Sequence, residues 1–170
     1  MITSSSVLER QGGKRTLVVR IALSGGRYYL LENRQQIGSD RALQDSGVLI
    51  LLVDPEVREG SGTVRIMSPD PGDTRFQRPA YRLEEGRKNL FEDRKDNVAV
   101  IPLWTEGDRT GVLVTTPDKS REALDAAMKI KRSMTRSPKR PAGAKGARLE
   151  QALLAFKNLD FQTATRLAAE

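Results

Sequence analysis

The chain has 170 residues, enough for one ordinary domain of roughly 100–150 residues and an appendage. Its 38% hydrophobic content lies below the roughly 45–50% of a globular chain, so part of it is expected to be poorly packed or solvated. It contains neither cysteine nor histidine, which excludes disulfides, thiolate nucleophiles, a serine triad and any zinc site built on imidazole or thiolate. Carboxylate chemistry, Ser–Lys chemistry and calcium held by oxygen ligands stay open.

No stretch approaches the roughly 20 apolar residues of a membrane helix. Met1 to Ser6 shows neither the charged start nor the apolar core of a signal peptide. Residues 1–13 read as a disordered start, and Ser4-Ser5-Ser6 as no nucleophile. The compartment stays open: cytoplasmic if this chain is complete, extracellular if it comes from a longer secreted precursor.

Lys14 to Leu23 is rich in Val and Ile and stops at Ser24-Gly25-Gly26, and Arg27 to Arg34 follows, so 14–34 predicts a hairpin. Gln35 to Ser46 reads as a polar loop. Gly47 to Asp54 is a continuous apolar run ended by Pro55, which suits a central strand. Glu56 to Gly62 is turn-rich, and Thr63 to Met67 is a short strand closed by Ser68-Pro69-Asp70-Pro71-Gly72. Residues 69–96 read as a long polar loop held down by Phe76, Tyr81 and Phe91. Asn97–Leu103 and Arg109–Thr116 predict a second hairpin, with Pro102 at an edge or bulge and Trp104 packing on it. Short strands with no interposed helix predict a mainly β fold, an antiparallel β-sandwich over 14–117 with a C-terminal α-helical tail.

After Pro117 the period changes. Asp118 can cap a helix over 118–136, in which Ala123, Leu124, Ala127, Met128 and Ile130 recur at helical spacing. Residues 137–147 read as a basic Pro/Gly linker. Residues 148–170 predict a helical hairpin around Asn158-Leu159-Asp160, like half of a tetratricopeptide-type repeat. One such unit cannot bury its own apolar face. The tail therefore offers a surface for homo-oligomerisation, and its end at Glu170 suggests a fragment or a missing partner.

The segment Tyr28-Tyr29-Leu30-Leu31-Glu32-Asn33-Arg34-Gln35, then Asp40, then Gly47-Val48-Leu49-Ile50-Leu51-Leu52-Val53-Asp54, resembles the region after the catalytic domain of immune inhibitor A-type zinc metallopeptidases. Glu85 to Asp93 and the 97–116 hairpin are similar as well, so the resemblance covers about residues 14–116. It implies a β-sandwich that packs beside a secreted peptidase domain and helps orient it, or a descendant that has lost that domain. The family's H-E-x-x-H helix needs two histidines for the metal and a glutamate for its water. This chain has no counterpart, so no catalytic residue carries over, and the expectation is a non-catalytic accessory or interaction module without a cofactor.

Glu32, Asn33, Arg34 and Asp40 are the candidate cluster, either contacts to a partner domain or a polar group that pins the loop. Asp40, Asp45, Asp54, Glu56 and Glu59 invite a calcium- or carbohydrate-binding alternative, but no Asp-x-Asp-x-Asp-Gly loop is present. The charge points elsewhere. The formal excess is +7, and residues 118–148 hold 10 basic and 3 acidic side chains while 1–117 hold 17 and 16. Lys129, Lys131, Arg132, Arg136, Lys139 and Arg140 are the candidate polyanion contacts, for nucleic acid or an acidic surface. No aromatic side chain interleaves them, which disfavours single-strand binding and leaves a solvated linker as the plainer reading.

Overall fold

The computed structural model describes residues 2–3, 18–136 and 143–169. It divides into two compact units, Met1–Val114 and Thr115–Glu170.

The first unit holds strands β1 (Ile2–Thr3), β2 (Val18–Ala22), β3 (Tyr28–Arg34), β4 (Gly47–Val53), β5 (Val64–Ile66), β6 (Phe91–Asp93), β7 (Val98–Glu106) and β8 (Arg109–Thr115). They form two antiparallel sheets, in the orders β2-β3-β4-β5 and β1-β8-β7-β6. Gly25 and Gly26 both take positive φ, 67° and 73°, and let the chain reverse between β2 and β3. Leu23 N–H donates to Arg27 C=O at 2.9 Å to close that turn.

One core serves both sheets. Tyr29, Leu31, Val48, Ile50 and Leu52 come from β3 and β4, and Phe91, Val98 and Val100 from β6 and β7. Phe91 meets Tyr29 and Tyr81 edge to face, with ring centroids 5.1 and 5.9 Å apart. Tyr81 belongs to the long segment between β5 and β6, and pairs with Val48 in an isolated bridge. Gly47 makes that approach possible: at φ 135°, a Cβ there would stand 2.7 Å from the Tyr81 carbonyl. Asp45 pins the same segment, accepting from the Arg87 guanidinium at 2.6–2.7 Å and from Ala80 N–H at 3.1 Å.

The second unit holds helices α1 (Pro117–Arg136), α2 (Ala144–Lys157) and α3 (Phe161–Ala169). Pro117 opens α1, where its missing N–H costs nothing. The α2–α3 break uses Leu159 at φ 61°, and Asp160 Oδ1 then accepts from Thr163 N–H at 3.0 Å to cap α3. Ser133 Oγ donates to Ala168 C=O at 2.7 Å, joining α1 to α3.

Several expectations need correcting. With 34% helix and 29% strand the chain is mixed α/β rather than mainly β, because its tail contains three packed helices. The α2–α3 hairpin is not left alone, since α1 packs against both helices. Residues 144–147 are helical rather than linker, as Gly146 is tolerated in a first turn; 137–142 lie outside the described residues. Ile2 and Thr3 pair with Thr110 and Arg109 rather than being disordered, and the rest of 1–13 lies outside the described residues. Phe91–Asp93 is a strand within the expected loop, recruited by pairing with Val98–Val100.

Candidate functional site

Strand β3 is where most of the sequence signal converges, and its alternation sorts that signal into two faces. The inward residues tie the sheets together. Just before the strand, Arg27 Nη2 donates to Asp96 Oδ1 at 2.7 Å. Tyr29 Oη donates to Asp93 Oδ2 at 2.6 Å. Farther along, Asn33 Nδ2 donates to Asp108 C=O at 3.1 Å while its Oδ1 accepts from Thr110 Oγ1 at 2.9 Å. Beyond the strand, Gln35 Nε2 donates to Gly107 C=O at 3.0 Å. One end of β3 is thus fastened to the β6–β7 turn and the other to the β7–β8 turn.

These bonds set the local electrostatics. The Tyr29 phenol is pushed up, first by burial and then by its bond to Asp93. Burial works to raise Asp93, but the Tyr29 hydroxyl and the Asp96 and Lys95 N–H groups outweigh it and hold its carboxyl below the usual range. Arg27 is raised by its bond to Asp96. Away from this row, burial pushes the Tyr81 phenol up to about 12. Each of these groups moves away from neutral pH, opposite to the tuning a general acid or base requires.

The predicted cluster splits by parity. Asn33 is fully buried and faces the other sheet. Glu32 and Arg34 face outward, and Arg34 Nη1 lies 3.7 Å from Glu32 and 3.5 Å from Asp40. The buried Asp40 Oδ2 makes no directed hydrogen bond, so its contact with Arg34 is an ion pair only. Of the other loop carboxylates, Asp45 is occupied by Arg87, and Asp54 accepts from Glu56 N–H at 3.3 Å. Among the described residues no three His, Cys, Asp or Glu side chains converge.

Among the described residues the basic side chains lie on different sides of α1. Lys129 pairs with Asp125 at 2.9 Å across one helical turn, an arrangement typical of a solvated face. Arg132 shares its side of α1 by spacing, whereas Lys131 is rotated away. Lys139 and Arg140 lie outside the described residues. Trp104 lies across Gly111 of the neighbouring strand, where a Cβ would collide with its ring. That is hairpin packing.

Sequence reasoning missed the outer face of the β2-β3-β4-β5 sheet. Register places Arg20, Leu30, Leu51 and Ile66 in one row across it. Ala22, Tyr28, Val53 and Val64 form the next, and Val18, Glu32 and Leu49 the third. Apolar side chains dominate a face that in an antiparallel sheet is ordinarily polar. Leu30, Leu49, Leu51 and Ile66 all keep some exposure, and Val18 and Val64 are 41% and 55% exposed. The Arg20 guanidinium lies over the Tyr28 ring at 4.1 Å. The available signal was the unbroken apolar run of β4, which implies cover on both faces.

No family model, curated protein or solved structure matches the chain. Among the described residues no helix is long and apolar enough to cross a membrane.

Proposed function

We propose that residues 14–116 are a non-catalytic interaction module, a face-to-face β-sandwich that docks onto a partner protein domain through the outer β2-β3-β4-β5 face. The observation that carries this is the apolar content of that face, where Leu30, Leu49, Leu51 and Ile66 are half-buried and Val18 and Val64 exposed: contiguous apolar surface that solvent reaches is a mark of protein interfaces. Charged Glu32 and Arg34 at its border supply the polar rim such interfaces use. The inward ties of β3 support the same reading. They hold the sheet rigid, so docking orders little that is not already ordered. The resemblance of Tyr28–Gln35 and Gly47–Asp54 to the region beside a zinc peptidase domain makes a peptidase-like domain the partner of choice.

The test begins with the neighbouring coding sequence. A segment encoding H-E-x-x-H immediately upstream supplies the partner, which is then expressed separately and titrated against this chain by calorimetry. Leu30→Asp with Leu51→Asp is expected to weaken binding by at least about tenfold, as loss of a central apolar anchor does. Equal affinity of the wild type and the double variant would remove the sheet face from the reading, and no H-E-x-x-H segment would remove the peptidase.

A further inference from the structure

A second surface feature stands apart from that sheet face and rests on none of its observations. The segment after β5 carries a short, tightly organised tip. Gly72 N–H donates to Asp70 Oδ1 at 3.0 Å, and Asp73 N–H donates to Asp70 C=O at 3.1 Å. Asp73 then acts as the hub of the next turn. Its carboxylate accepts from Arg75 N–H at 3.2 Å and Arg78 N–H at 3.0 Å, and its carbonyl accepts from Phe76 N–H at 3.1 Å. Five backbone N–H groups are thus bound within the loop itself.

What this tip presents is Phe76. Residues Thr74 to Arg78 are all exposed, and Phe76 itself is 44% exposed. It also adopts φ 49°, a left-handed conformation that bulky residues seldom take and that Gly or Asn accept readily. A large aromatic side chain here is both strained and wet, so it does little for the fold. Strain of this kind persists where surrounding bonds impose it, and it concentrates at recognition sites. Arg75 and Arg78 flank Phe76 in sequence, and among the described residues neither makes an ion pair.

We propose that the Arg75–Phe76–Gln77–Arg78 tip is a recognition knob for a protein segment that sets an apolar anchor beside carboxylates. Aromatic and arginine side chains dominate interface energetics, and the two exposed guanidinium groups, otherwise solvated, complement carboxylates beside an apolar anchor. A protein fits better than an anionic bilayer. One ring and two cations are a weak membrane signal, and residues 1–117 are almost neutral, with 17 basic and 16 acidic side chains.

A random peptide library displayed on phage, panned on the full chain and counter-selected on its Phe76→Asn variant, tests this. Asn accepts the left-handed backbone, so the variant keeps the loop and is expected to melt no lower than wild type. The selected peptides are expected to share an apolar anchor with neighbouring Asp or Glu. A synthetic consensus peptide should lose at least about tenfold in affinity to Phe76→Asn and to Arg75→Gln/Arg78→Gln. Peptides without acidic residues, or affinity that survives Phe76→Asn, would overturn the proposal. Phe76-dependent sedimentation with phosphatidylserine vesicles would replace it by a membrane role.

Discussion

The two units stabilise themselves by different means. The β unit buries large side chains brought from distant parts of the sequence: Tyr29, Leu31, Val48, Ile50 and Val100 are almost wholly inaccessible. The helical unit buries mostly small ones, with Ala152 and Ala164 fully inaccessible and Ala168 nearly so, and Phe161 its one large buried aromatic. Some of its polar ties are local, with Asp160 capping α3 three residues away and Asp125 meeting Lys129 one turn on, while Ser133 reaches Ala168 from α1 to α3. Large side chains leave large holes when truncated, whereas small ones let backbones approach and leave no room for growth. The β unit should therefore be most sensitive to removal of volume, and the helical unit to its addition.

The largest expected effect follows directly. Leu31→Ala empties a fully buried site between the sheets and should cost about 2–5 kcal/mol. Urea unfolding followed by the single tryptophan, Trp104, reads this out within the β unit. A loss below about 1 kcal/mol would mean that the site collapses and would break the contrast. The reciprocal test is Ala164→Leu, which forces volume into a fully buried position and should cost about 1–3 kcal/mol, seen in the helical ellipticity. A neutral Ala164→Leu would show that the helices have slack.

A third variant examines the ties of β3. Asn33→Ala removes the acceptor of the Thr110 hydroxyl and the donor to the Asp108 carbonyl, both across the sheets. Loss of buried hydrogen bonds of this kind costs about 1–3 kcal/mol. The slope of unfolding with urea should stay unchanged, since the same surface is exposed. A loss at Asn33→Ala equal to that at Arg34→Ala, whose side chain sits on the outward face, would argue against the inward placement of Asn33.

How much of this was legible depends on whether the determining contact is local. The hairpin turns at Ser24-Gly25-Gly26 and Gly107 were readable because glycine conformation is a property of the residue itself. The apolar run Gly47–Val53 announced a central strand, and Pro117 announced the change to helix. The strand Phe91–Asp93 was not readable: three residues have no period, and pairing with Val98–Val100 makes them a strand. The start of α2 was obscured by Gly143 and Gly146, which look like linker until tertiary packing outweighs their propensity. The Glu32-Asn33-Arg34 motif was found as a cluster, but its division between two faces needed strand parity. The partners of Asn33, Asp108 and Thr110, lie 75 and 77 positions away in sequence, beyond any local pattern. The outer sheet face stayed hidden because register, not sequence, assembles its rows.

The smallest effect is the most discriminating, because it bears on one unit only. All three tyrosines lie in the β unit. Burial raises the Tyr81 phenol from 10.0 to about 12, so the folded chain keeps that proton after the unfolded chain has lost it. The contribution of Tyr81 is therefore whole below pH 10 and drains away between pH 10 and about 12. Asp93 has the opposite sign. Its carboxyl is held below 3.8, so its contribution is present above that value and is lost as the pH falls through the folded-state pKa. Tyr81→Phe should make the alkaline limb of a Trp104-monitored stability profile shallower, with Tyr29 keeping the rest, and leave the acid limb in place; Asp93→Asn should flatten the acid limb and, by removing the bond that helps raise Tyr29, trim the alkaline one as well. Phenylalanine keeps the edge-to-face contact with Phe91, so packing stays nearly constant while titration is removed. An alkaline limb that survives Tyr81→Phe at full steepness would show that Tyr81 adds nothing to the pH response of the β unit and would leave that response to Tyr29.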